Sequence, residues 1–138
     1  MPEKIGNGLA VEKVVICEDV RPELGNKHTI LGAIAGEIWV PQFPTAFKIA
    51  AYIDLIAETR VPQTVEVRWT FAGHEQISVR QQFTPDPPNH AVLFMPPNAI
   101  VASSAGVLAL EIRATDKEWI EIDKRDIINP RPPASSSG

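Results

Sequence analysis

Hydrophobic and polar residues alternate with a period of two through most of this chain. In residues 64–71 (TVEVRWTF), Val65, Val67, Trp69 and Phe71 point one way while Glu66, Arg68 and Thr70 point the other. In 76–83 (QISVRQQF), Ile77, Val79 and Phe83 oppose Gln76, Ser78, Arg80 and Gln82. Residues 107–114 set Leu108, Leu110 and Ile112 against Ala109, Glu111 and Arg113, and 119–124 set Ile120 and Ile122 against Glu121 and Asp123. Successive side chains of a strand face opposite sides of a sheet, so each segment reads as a strand with one buried face. Residues 46–60 are rich in alanine, which favours helix. Yet Phe47, Ile49, Ala51, Ile53 and Leu55 alternate there with Lys48, Ala50, Tyr52 and Asp54, between Pro44 and Pro62, and the alternation predicts a central strand.

Thirteen prolines punctuate these segments. Proline lacks the N–H that a strand ladder needs and is expelled from central strands, so its positions mark loops. On this reading the stretches 84–91 and 95–99 are stiff loops flanking a short strand, 91–95. Gly73-His74 forms a hairpin loop, and residues 116–118 join the last two strands. Seven or eight strands at this spacing predict an all-β, antiparallel, immunoglobulin-like β-sandwich over residues 11–128. Residues 1–10 read as a flexible N-terminal arm and 129–138 as a disordered Pro/Ser-rich tail. The absence of βαβ alternation excludes doubly wound and TIM-barrel folds.

Composition adds limits on partners. The 138 residues are 44% hydrophobic and 22% charged, sufficient for one domain with its own core. The net charge is −4 with no cluster of Lys and Arg, so neither nucleic acid nor an anionic membrane is an expected partner. A single cysteine, Cys17, permits no internal disulfide. With no signal-peptide core and no apolar run near the roughly 20 residues that span a bilayer, the expectation is a cytoplasmic protein.

The stretch 16–32 (ICEDVRPELGNKHTILG) gathers a thiol, carboxylates and an imidazole. Strand alternation argues against catalysis there. Gly25-Asn26 has the composition of a two-residue primed turn, which places Leu24 opposite Lys27, Glu23 opposite His28, Val20 near Leu31 and Cys17 near Ile34. Cys17 and His28 are then too far apart for a nucleophile–base pair, which needs contact of about 3 Å. Cys17 reads as a small core residue. The three histidines, His28, His74 and His90, fall in loops or hairpin tips without metal-ligand spacing, so neither a metal nor a cofactor is expected. Asp86 and Asp116 are loop acids outside any calcium-loop pattern. Asp54, alone in an apolar strand, lies either on the solvent face of an edge position or against an Arg such as Arg68 on a neighbouring strand. The pairing is the expectation because buried charges require partners. Esterase, NTPase and dinucleotide motifs are absent, which argues against an enzyme.

What remains favours binding. Trp39 and Phe43 meet prolines in 40–44, and Asp86, Asn89, His90, Met95 and Asn98 lie in or beside the two proline loops. These are the expected partner-binding residues, since stiff loops lose little entropy on binding. The alternative is a small-molecule or carbohydrate site, or a weak hydrolase, with Trp39, Trp69 or Trp119 as platform and loop acids beside it. The run Glu18, Asp19, Arg21, Gly25, Lys27, Leu31, Gly32, Gly36, Phe43, Pro44 resembles a widespread bacterial family of small uncharacterised β-sandwich proteins. That resemblance implies the fold and no activity. The resulting expectation is a binding or assembly module that acts on a protein partner or on itself.

Overall fold

The alternating segments form eleven strands, and no helix, in a computed structural model that describes residues 2–24, 27–86 and 89–130. In chain order these are β1 (Glu3–Gly6), β2 (Leu9–Cys17), β3 (Asp19–Glu23), β4 (Lys27–Leu31), β5 (Ile38–Trp39), β6 (Thr45–Ala57), β7 (Gln63–Phe71), β8 (His74–Phe83), β9 (His90–Ala102), β10 (Gly106–Ala114) and β11 (Ile120–Ile128). They build a four-stranded antiparallel sheet, β1-β2-β6-β9, and a five-stranded sheet, β5-β11-β10-β7-β8, in which only the β5–β11 pair is parallel. A third sheet is the hairpin β3-β4. Among the described residues no helix is long and apolar enough to cross a membrane.

The predicted inward faces are the observed ones. Ile49, Ala51, Ile53 and Leu55 of β6 share one core cluster with Val65, Val67 and Trp69 of β7 and Leu108, Leu110 and Ile112 of β10. The two larger sheets therefore bury their apolar faces in a common core, the main source of stability in such a chain. Trp69 is completely buried there, and its indole Nε1 has no hydrogen-bond partner among the described residues.

The structure corrects several expectations. The described residues form eleven strands rather than seven or eight. Two short ones, β1 and β5, were unforeseen, and the first long run breaks at Glu18 into β2 and β3. Residues 3–10, expected as an arm, form β1 and the start of β2, with Ile5 and Leu9 buried in the core. The hairpin loop after β7 is Ala72-Gly73 rather than Gly73-His74. Both residues have positive φ (51° and 82°) and Phe71 pairs with His74, as a primed turn requires. The prolines Pro96 and Pro97 lie within β9 rather than beyond its end. They fall where the β6–β9 register skips a residue, together facing Ala50. An edge strand with a bulge is where a sheet tolerates proline.

The hairpin register differs by one residue. Glu23 pairs with Lys27, Pro22 with His28 and Val20 with Ile30. The turn pair Gly25-Asn26 itself lies outside the described residues, as do residues 87–88 of the first proline loop and 131–138 of the tail. The placement of Ile34 near the first strand is close to expectation, its N–H donating to the Ile16 carbonyl (2.8 Å).

Candidate functional site

The outward side chains of the four-stranded sheet divide into two parts. At one end the β3-β4 hairpin makes a small second core, in which Cys17, Val20 and Ala50 pack with Ile30, Tyr52 and Phe94. The His28 ring stands edge-on to Tyr52, with centroids 5.5 Å apart, and tilts against Phe94 at 6.2 Å. Burial, and secondarily the Asp19 and Glu18 carboxylates, push the Cys17 thiol up despite a backbone hydrogen bond at Asp19 that lowers it. Such a thiol is protonated and inert, as a structural cysteine should be. Burial, then the Asp54 charge, likewise raises the Tyr52 phenol.

Beyond that second core, three polar side chains from three adjacent strands converge. Asp54 faces outward because Ile53 and Leu55 occupy the core. Glu12 arrives by a β-bulge, since Val11 pairs with Leu55 and Lys13 with Asp54, leaving Glu12 as the extra residue. His90 pairs with Ile56, the outward residue next along β6, and so lies diagonal to Asp54. His90 Nδ1 is 3.4 Å from Asp54 Oδ1 and 3.8 Å from Glu12 Oε2. One ligand atom from each of the three lies within 4.8 Å of the others. Asp54 is the most enclosed, with 20% of its side chain exposed. His90 is fixed from its backbone, exchanging hydrogen bonds with Asp86 across the loop.

Asp54 thus faces a histidine rather than the expected Arg68. Arg68 lies on the outer face of the five-stranded sheet, where its Nε donates to Glu111 Oε1 (2.7 Å) and its Nη1 reaches Glu75 (3.3 Å). Arg113 pairs with Glu66 at 2.9 Å, and both guanidinium carbons sit over the Trp119 ring, at 4.0 and 4.5 Å. Of the three indoles considered as a platform, Trp69 is in the core and Trp119 is covered by arginines. Trp39 is 70% exposed, beside a hollow lined by Val40, Pro41, Asn129 and Pro130 that holds no carboxylate.

The expected partner-binding residues do not form one surface. Met95 is a core residue, fully buried and paired with Ala51, which corrects its assignment to a contact loop. Phe43 packs half-buried against the core. Asn98 Nδ2 donates to the Pro96 carbonyl (2.8 Å), bracing the bulge. Asp86 is exposed, and Asn89 takes a positive φ of 72° with its Oδ1 accepting from Arg60 Nε (3.1 Å). Only Asp86, Asn89 and His90 stay together, and His90 brings them beside Asp54 and Glu12. Glu12 was missed by sequence reasoning because nothing in the pattern of 9–17 marks the bulge that turns it outward. No protein-family model matches the chain, and no curated protein matches it significantly.

Proposed function

We propose that this chain is a non-catalytic binding or assembly module, an immunoglobulin-like sandwich akin to small uncharacterised bacterial proteins, joining a protein partner or a second copy of itself in the cytoplasm. One observation carries the reading, the edge strand β8. It is ten residues long and, among the described residues, pairs on one side only, with β7. The nearest edge of the other sheet meets it through a side chain, Gln81 Nε2 donating to the Phe94 carbonyl (3.3 Å). From residue 76 onward the exposed side chains are Gln76, Ser78, Arg80 and Gln82, with one charge among them and no proline. Natural edges are usually guarded by charge or proline, and an unguarded one recruits an extended segment through its backbone groups.

Size-exclusion chromatography with light scattering over a range of concentrations, combined with pull-down from lysate, tests this. The triple variant Gln76→Lys, Ser78→Lys, Gln82→Lys should dissolve the self-associated or partner-bound species while the fold survives. A wild-type protein that is strictly monomeric and partnerless overturns the reading, as does a complex that the triple variant leaves intact.

A further inference from the structure

We infer that Glu12, Asp54 and His90 form a binding site for a divalent transition-metal cation, with Zn²⁺ the best fit. The inference is independent of the β8 edge.

The distances argue for an ion rather than for a simple ion pair. His90 Nδ1 and Asp54 Oδ1 are 3.4 Å apart, at the outer limit of any hydrogen bond. Two ligands on one tetrahedral Zn²⁺, each about 2.0–2.1 Å from the metal, are separated by about 3.3–3.4 Å. The Glu12 oxygen, at 3.8 Å from the same nitrogen, needs only a small side-chain rotation to complete a third position.

Charge points the same way. Among the described residues, His90 is the one ion-pair partner found for either Glu12 or Asp54. Lys13, in register with Asp54, is exposed and makes no ion pair with either carboxylate among the described residues, so the two carboxylates share a single imidazole. The backbone fixes all three ligands: Glu12 by the β2 bulge, Asp54 in a central strand and His90 by its Asp86 bridge. The imidazole selects for borderline metals such as zinc over magnesium and calcium, which prefer all-oxygen sites. Three protein ligands leave a fourth position open to solvent, where water or a ligand atom of another molecule can sit.

The test is Zn²⁺ titration of the untagged, metal-stripped chain by calorimetry, with Co²⁺ absorption as a second probe of the ligand set. One Zn²⁺ per chain is expected, with Mg²⁺ and Ca²⁺ binding more weakly. His90→Gln and Asp54→Asn should each lower zinc affinity by more than about tenfold, the minimum that even outer-shell changes can cause. Glu12→Gln, altering the most exposed ligand, should lose less, and His74→Gln, at the start of β8 in the other sheet, should lose nothing. Circular dichroism and thermal melting in chelator establish that each variant is folded. Zn²⁺ should raise the melting temperature of the wild type and leave that of His90→Gln unmoved. No binding up to millimolar zinc overturns the inference, as does zinc binding unchanged in folded His90→Gln or Asp54→Asn, or a preference for Mg²⁺ or Ca²⁺.

Discussion

On the outer face of the five-stranded sheet, the carboxylates of β7 and β10 meet guanidiniums directly across the strand boundary, Glu66 opposite Arg113 and Glu111 opposite Arg68. On the outer face of the four-stranded sheet, Glu12 and Asp54 converge from two strands on a single imidazole. The first arrangement is complete in itself. Opposite charges in register stabilise a sheet modestly, and Trp119 laid across both arginines adds cation–π attraction. In the second, Lys13 stands in register with Asp54 yet makes no ion pair with it among the described residues, and the two acids meet His90 at a place held by a bulge and a bridged loop. Clustered acids and bases on a sheet surface are therefore unequal evidence for function. Whether charges in register close into ion pairs tells which cluster serves the fold and which is free to bind.

Four measurements test this contrast. The largest effects should lie beneath both faces, where the two sheets share one core. Leu110→Ala under the ladder and Ile53→Ala beside Asp54 should each destabilise by about 2–5 kcal/mol in urea titrations. A much smaller loss at Ile53 would mean that the four-stranded sheet is not fully part of that core. Next, Arg68→Met removes the link between Glu75, Glu111 and Trp119, at a cost of roughly 1 kcal/mol. An unchanged urea midpoint would show the ladder to be ornamental.

A gentler effect distinguishes the hairpin-covered part of the four-stranded face. Cys17 and Tyr52 hold their protons more tightly in the folded state than in the unfolded one. The unfolded chain then releases protons first as pH rises, so stability should fall through and above the ordinary thiol and phenol range. Urea midpoints between neutral and strongly alkaline pH should show that slope, and Cys17→Ala should flatten it. The smallest effect is expected at Asp54→Asn in the metal-free protein at mildly alkaline pH. Removing one of two facing charges should be neutral or slightly stabilising, within about 0.5 kcal/mol. A clear destabilisation there would make the Asp54–His90 contact a structural pair like those of the ladder.

Much of the fold was legible from alternation alone. Val65, Val67, Trp69, Leu108, Leu110 and Ile112 are inward where a period of two places them, and the alanine-rich segment is strand over Thr45–Ala57, its core residues Ile49, Ala51, Ile53 and Leu55 falling on every second position. That periodicity is local, since a strand's two faces are set by its own backbone. The candidate site was legible only in fragments. Asp54 stood out as a charge in an apolar strand, and His90 as a loop residue beside prolines, but neither pointed to the other, and Glu12 carried no signal at all.

Which residues face the core, and that they lie on strands, follows from alternation within each segment, because burial acts on that local pattern. Register and neighbours come from the assembled sheets: the one-residue offset of the hairpin, the passage of Pro96-Pro97 through an edge-strand bulge, the partner of Arg68, and the meeting of Glu12, Asp54 and His90. These depend on long-range pairing between β2, β6 and β9, where a single bulged residue re-aims a side chain, and no local pattern records which strands will become neighbours.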